Sequence, residues 1–518
     1  MSGFGERAAA LDRRPFSAWG AFLGGQAAIG GNLFVALGLV VQACLGAAGA
    51  ASAISGVIFL FVGLAWVEMV AAMPVAGGGQ YYVQRALGDF WGFIAGATLL
   101  LDLTIGISLF AAMAASYANI YTPALLGVEA RELTVQIAGA GTLEWFWLAE
   151  ALVISLLLVG AHLRGLRVKS AFTTAVGVAV LAGLAVLVVG GLLLAWSPET
   201  LVATVRRERP PLGGLAYGLS LSVISFVGLQ TLALTASECR RPSAVVPRPS
   251  LALILTTLLF AVTLPLLALG SSPTALYEHG EAPLSLLAGR IPPLPGVAAG
   301  LVAGLACVVL LVSANRFLSS LSQLVYSMGQ YECLGPWSRR IHPTWQTPVA
   351  ALAFAGAAVC VELVAAFLWP GTGPLEALAN MYAFGATTAY SLAMVAVIRL
   401  RFTDPHLPRP FRVPVNVPIG SAKRRRFLPL PAIVALAGSV GLLAMVLATH
   451  EIGRIAGPGW LALWTAYYLF HRRATGLPLF GSVRRDWGAE QVRILEEAGE
   501  RDLAATYSRD LAAERGGH

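Results

Sequence analysis

The chain has 518 residues, of which 57% are apolar and only 12% charged, with a mean hydropathy of +0.73. A soluble globular domain carries about 25% charged residues, so this composition excludes one and requires a polytopic membrane protein. The net charge of +8 is read as topology and lipid-surface charge, and no nucleic-acid partner is expected.

Residues 1–16 are polar, and the first apolar run is long enough to cross a bilayer, so a cytoplasmic N-terminus without a cleaved leader is expected. Twelve spans are predicted near 17–42, 48–72, 89–120, 144–161, 169–196, 213–238, 250–270, 296–330, 347–369, 374–400, 427–449 and 457–471. Span 1 contains GGQAAIGGNLF, Gly24 to Phe34, and span 6 contains SVISFVGLQ, Ser222 to Gln230. Glycine inside a helix costs roughly 1 kcal/mol against alanine. In hydrocarbon, freed backbone groups survive only where they line a cavity or a site. Both stretches are therefore read as mid-span breaks.

Spans 1–5 (residues 17–196) and 6–10 (197–402) overlay so that the two broken spans correspond. Five spans per repeat force the halves into opposite orientations, and paired breaks in such repeats point to a transporter's binding site. Spans 11 and 12, within residues 403–471, lie outside the repeat, and residues 472–518 form a polar tail. In that tail Val492, Ile494, Leu495, Leu503 and Tyr507 give a partly amphipathic helix, expected to be solvated rather than regulatory. With both termini inside, 28 of the 35 Lys and Arg fall on the cytoplasmic side, Arg206, Arg207 and Arg209 being the local exception. The run Lys423 to Arg426 is expected to meet anionic lipid.

Cys44, Cys239, Cys307, Cys333 and Cys360 form no CxxC pair and read as reduced, packed thiols. No histidine pair has metal-ligand spacing on one helix, and no dinucleotide fingerprint, P-loop or zinc motif is present. An enzyme is not expected, nor is a resident cofactor.

Five motifs occur in a fixed order: IGGNLF (Ile29 to Phe34), WVEMVAAMPVAGGGQYYVQRALGDFWGF (Trp66 to Phe93), SFVGLQTLALTASECRRPSAVVPR (Ser225 to Arg248), IHPTWQTP (Ile341 to Pro348) and LPRPFRVP (Leu407 to Pro414). Together they resemble the amino acid–polyamine–organocation superfamily of transporters across nearly the whole chain. The resemblance implies an all-α leucine-transporter-like fold, a five-plus-five inverted repeat with two extra helices. It also implies amino acids as the commonest cargo, moved in exchange or coupled to sodium or protons.

A broken span presents bare N–H groups on one side of the gap and bare carbonyls on the other. The N–H groups of Gly30, Gly31 and Asn32 suit a carboxylate, and the resemblance puts the family's carboxylate contacts at these positions. The carbonyls of Ala28 and of Ser225, Phe226 and Val227 suit an α-ammonium group, with Gly228 completing the second break. Asn32 stands where the family usually has glycine, and its amide is expected to touch cargo or narrow the pocket. Gln230 stands where many relatives carry glutamate. Phe226 is the expected gate, with Tyr382 and Tyr390 as further aromatic candidates.

Asp102 in span 3 and Arg316 in span 8 are charged residues near mid-bilayer, where an unpaired ion costs several kcal/mol. They are expected to pair beside the cavity, or Arg316 to bind cargo directly. Glu68 and Glu238 are expected to anchor loops. Ser313, Ser319 and Ser320 are candidate sodium ligands. The expected activity is secondary amino acid transport by alternating access, in a monomer or homodimer of the cell membrane. A polyamine or organic-cation carrier using Asp102, and a non-transporting amino acid receptor, remain as alternatives.

Overall fold

The computed structural model describes residues 17–137, 141–166, 168–272, 274–277, 281–292, 295–420 and 426–516. The N-terminus 1–16 and most of the basic run, Lys423 to Arg425, lie outside these residues. Span 1 is two helices, α1 (Ala18–Ile29) and α2 (Gly31–Cys44), followed by span 2, α3 (Ala48–Ala72). A short helix α4 (Gly79–Leu87) leads into α5 (Asp89–Ala118), then α6 (Trp145–Leu163) and α7 (Ser170–Leu194). Span 6 is again two helices, α8 (Leu212–Leu221) and α9 (Gln230–Glu238). There follow α10 (Pro247–Ser271), α11 (Pro295–Gln330), α12 (Val349–Leu368), α13 (Pro374–Thr403), α14 (Leu430–Thr449) and α15 (Gly453–Ala474). The tail adds α16 (Trp487–Glu497) and α17 (Arg501–Gly516).

Ten stretches among the described residues are long and apolar enough to cross a membrane. The first, Ala18–Ala72, covers spans 1 and 2, which the Leu45–Ala47 turn separates. The expected twelfth span, α15, is more polar: it contains Pro458 and ends in His471, Arg472 and Arg473. The all-α expectation also misses two small antiparallel hairpins, β1–β2 (Val135–Ile137 with Gly141–Leu143) and β3–β4 (Asn416–Ile419 with Arg426–Pro429).

Helix α5 is the buried column of the molecule, packed chiefly against α11 and α13. Its alanines, glycines, serines and threonines let neighbours approach closely, the main route to helix association where lipid offers no hydrophobic drive. Its hydroxyls return bonds to their own helix: Thr98 to the Ala95 carbonyl at 2.9 Å and Thr104 to that of Leu100 at 3.0 Å. Helices α6 and α7 instead expose Leu157, Val186 and Leu193, the faces a lipid chain would cover.

Charges gather at one end of the bundle. Glu68, at the end of α3, is fully buried and takes two bonds from Arg401, at 2.8 and 2.5 Å, with Arg409 at 3.3 Å. It also accepts the Val413 N–H at 2.8 Å. The LPRPFRVP loop is thereby pinned to span 2, the anchoring role expected of Glu68. Burial among these groups pushes the Arg409 guanidinium down to about 10, still charged at neutral pH.

Candidate substrate site at the broken helices

The two breaks differ. In span 1 the expected interruption over Gly24 to Phe34 narrows to Gly30, whose φ of −57° and ψ of −27° remain helical. Gly30 donates to the Gln26 carbonyl at 2.8 Å, and Leu33 donates to the Gly30 carbonyl at 3.1 Å. Little of the ladder is lost there, so this break is a kink. Span 6 opens more fully. A 3₁₀ turn over Ser222–Phe226 ends in an extended Val227, and Gly228 sits at φ +110° before α9 begins. That backbone conformation is open to glycine at little cost and strained for other residues.

The groups freed at the second break find side chains. The Asn32 amide donates to the Val227 carbonyl at 2.8 Å, joining the two breaks directly. Its own Oδ1 is buried without a partner. The Gly228 N–H donates to the Tyr390 hydroxyl at 3.3 Å. Asn32 thus occupies one of the carbonyls expected to face an α-ammonium group. The Phe226 ring stacks on Phe59 at 5.7 Å, and Phe59 meets Tyr390 edge-on at 5.5 Å. Ser225 lines a small hollow of about 10 Å³ with Leu33, Leu37, Ser52 and Leu264, room for about one water. Asn32 and Val227 are brought together and Gly228 faces Ile29, while Ser225 and Phe226 lie in the turn before Val227, Ala28 and Gly30 lie at the span 1 kink, and Gly31 faces Ser313.

Other expected residues fall elsewhere. Asp102 and Arg316 do not pair. Arg316 lies 3.6 Å from Glu238 and 3.2 Å from the Thr235 hydroxyl, both on α9. A long guanidinium reaches the end of α9 more readily than it reaches across the core, and neither Asp102 oxygen has a partner. Gln230 holds the Gly77–Gly79 turn, accepting from the Gly79 N–H at 3.3 Å and donating to the Gly77 carbonyl at 3.4 Å. Of the sodium candidates, only Ser313 touches span 1, donating to the Ala27 carbonyl at 3.1 Å. Ser319 faces His162 at 3.2 Å, and Ser320 is buried without a partner. Among the described residues no cluster of three His, Cys, Asp or Glu could hold a metal.

Two neighbours escaped the sequence reading. Phe59 carries no signal, being one aromatic in an apolar run. Gln26, a polar residue in the apolar run of span 1, could have been noticed; its amide bonds the Thr256 hydroxyl on α10.

Comparison with known proteins fits this architecture. The chain is 24% identical to the branched-chain amino acid permease BcaP of Bacillus subtilis over 372 residues, 70% of this chain and 74% of that protein. It is 27% identical to cationic amino acid transporter 4 of Mus musculus over 395 residues, 72% of this chain but only 57% of the longer relative. It is 24% identical to the methylthioribose transporter of Bacillus subtilis over 414 residues, covering 76% and 83% of the two chains. Residues 19–469 match the amino acid permease family. With ten apolar membrane-length stretches and that match across nearly its whole length, the chain is a multi-pass membrane protein and belongs to the amino acid permease family, within the amino acid–polyamine–organocation superfamily.

Proposed function

We propose that this protein is a secondary transporter that carries an amino acid across the cell membrane by alternating access. The single observation behind the reading is the break at Val227 and Gly228, tied to the span 1 kink through Asn32. Twelve spans, with residues 17–196 and 197–402 as inverted repeats, would set the two breaks face to face. Opening the site frees the Val227 carbonyl from Asn32 for an α-ammonium group, while the N–H groups of Gly30 and Gly31 face its carboxylate. Backbone then holds the zwitterion, and side chains select the R group. The adjoining hollow is lined mainly by Leu33, Ala36, Leu37, Ala261 and Leu264, which favours an apolar R group. The name of the Bacillus subtilis relative, a branched-chain amino acid permease, accords with that choice. Coupling runs through protons or sodium, both termini are cytoplasmic, and the protein works as a monomer or homodimer.

The test is uptake into proteoliposomes of labelled L-leucine, L-valine, L-arginine, methylthioribose and putrescine under imposed sodium or proton gradients. Leucine and valine should accumulate, and Asn32→Leu, which cannot make the Val227 bond, should change their apparent KM. Binding without counterflow would leave a receptor. Accumulation of putrescine alone would make it an amine carrier.

A further inference from the structure

Asp102 is fully buried in the middle of α5, and among the described residues neither of its carboxylate oxygens has a hydrogen-bond partner. Among the described residues no cation pairs with it. Helix α13 lies so close that a Cβ on Gly385 would stand 3.1 Å from the Asp102 nitrogen and 3.3 Å from the Thr98 carbonyl oxygen. One helical turn before Gly385, Tyr382 passes beside Gly106, and its hydroxyl is also buried without a partner.

Several charged groups on the helices packed against α5 are engaged elsewhere or lie past its ends. From α11, Arg316 is held by Glu238. From α4, Arg85 binds Asp404, and from α15, Arg472 binds Asp89 at the far end of α5. From α12, Glu362 accepts the Ser108 hydroxyl at 2.7 Å, nearly two turns beyond Asp102. From α6, Glu150 lies by Asn119 past the other end. Helix α2 offers only Cys44, at its end. What faces Asp102 is α13, whose Gly385 stands against it, with Tyr382 three residues before and Tyr390 five residues after on the same helix. An ionised carboxylate enclosed with neither cation nor donor is costly. A neutral acid is the form this enclosure tolerates.

We propose that Asp102 is a proton-binding site, occupied in this closed arrangement and emptied during the transport cycle. The route to the cargo site is short. Tyr390, on the helix that packs against Asp102, accepts the Gly228 N–H at the span 6 break. Loss of the proton creates an anion that draws the Tyr390 O–H as donor, and a hydroxyl that donates is a stronger acceptor, so its hold on the Gly228 N–H tightens. Proton occupancy and the shape of the break are thereby linked. The inference deepens the transporter reading by naming the coupling ion, and the coupling part of it rests on that reading.

Two measurements on the full chain test it. The first is infrared difference spectroscopy of wild type against Asp102→Asn in lipid nanodiscs at pH 7, where any contribution from Glu362 cancels. A protonated-carboxyl C=O band, shifting in D₂O, is expected; its absence overturns the proposal. Should Asp102→Asn fail to fold, Asp102→Glu must shift the band, and an unshifted band overturns the assignment equally. The second compares labelled L-leucine counterflow with accumulation driven by an inward proton gradient. Asp102→Asn should keep counterflow and lose accumulation, ending at the equilibrium level. Accumulation equal to wild type overturns the coupling role. If wild type moves no substrate in the panel, the transporter reading fails, and the infrared band alone decides whether the proton is there.

Discussion

His450 shows how one residue records its enclosure. It lies just beyond the last turn of α14, fully buried, with Nε2 2.7 Å from the Ser220 hydroxyl and its ring 4.7 Å from that of Tyr217. Burial strips the imidazolium of hydration and pushes the ring down from 6.5 to about 4. The unfolded chain, with its histidine near 6.5, therefore binds a proton between pH 4 and 6.5 that the folded protein refuses. Stability rises with pH wherever the unfolded state binds more protons. The contribution is complete above about pH 6.5, is lost as pH falls toward 4, and amounts to on the order of 3 kcal/mol. Thermal unfolding in detergent should show Tm falling across that window, and His450→Gln should flatten the fall. An equally steep fall in the variant would assign the acid sensitivity to other groups.

At the scale of elements, glycine alone misjudges a break. Gly24 and Gly25 stay helical, and Gly25 serves instead to admit the Leu253 side chain of α10. The sequence reading spread the span 1 interruption over eleven residues because a glycine that permits packing and one that permits unwinding look alike. Span 6 needed only Gly228, since Val223, Ile224 and Val227 around it are β-branched and weak helix formers. That break was legible in the sequence, as was the role of Glu68. The rotation of α5 and α11 was not, because residue spacing fixes depth along a helix but not which neighbour a side chain meets. Hence Arg316 turned to Glu238 and left Asp102 alone. Gly228→Ala tests the element directly. A Cβ there would stand 3.3 Å from Ile29 Cγ1 and 3.4 Å from Phe317 Cζ, on a backbone at φ +110°. Strain of about 1–3 kcal/mol is expected, read as a lowered Tm. Gly24→Ala, facing open space on a helical backbone, should leave Tm unchanged or raise it slightly. Equal Tm for Gly228→Ala and wild type would show that the φ at this position relaxes without cost.

Across the whole molecule, the tail is the largest departure from expectation. The amphipathic pattern from Val492 to Tyr507 was visible, but its partner was not, because the contact is made by polar groups scattered over 400 residues of sequence. The solvated tail expected from its composition is instead docked, with Gln491, Leu495, Ala504 and Tyr507 buried. Arg85 is its hub: the guanidinium binds Asp404 at 2.5 Å, the Gln491 side-chain oxygen at 2.7 Å and the Tyr507 hydroxyl at 3.1 Å. Gln491 continues to the Ala72 carbonyl at 2.9 Å. The Arg241 N–H reaches the Ala498 carbonyl at 2.9 Å, and Asp89 binds Arg485 at 2.5 Å. The ends of α3, α5, α9 and α13 are thus fastened through one polar layer. Removing one partner of a buried ion pair strands the other, at a cost of about 3–5 kcal/mol. Arg85→Met takes the guanidinium from Asp404, Gln491 and Tyr507 and leaves Asp404 the Tyr507 hydroxyl, so it should lower Tm and make the segment after residue 486 readily cleaved in limited proteolysis. Arg493→Met is the matched comparison, since Arg493 pairs with Glu490 on an exposed face of α16. Such surface pairs contribute about 0.5 kcal/mol, so its tail should resist protease as wild type does. Equal cleavage of the two variants would mean that apolar contacts from Leu495 and Tyr507 dock the tail by themselves, with Arg85 a bystander.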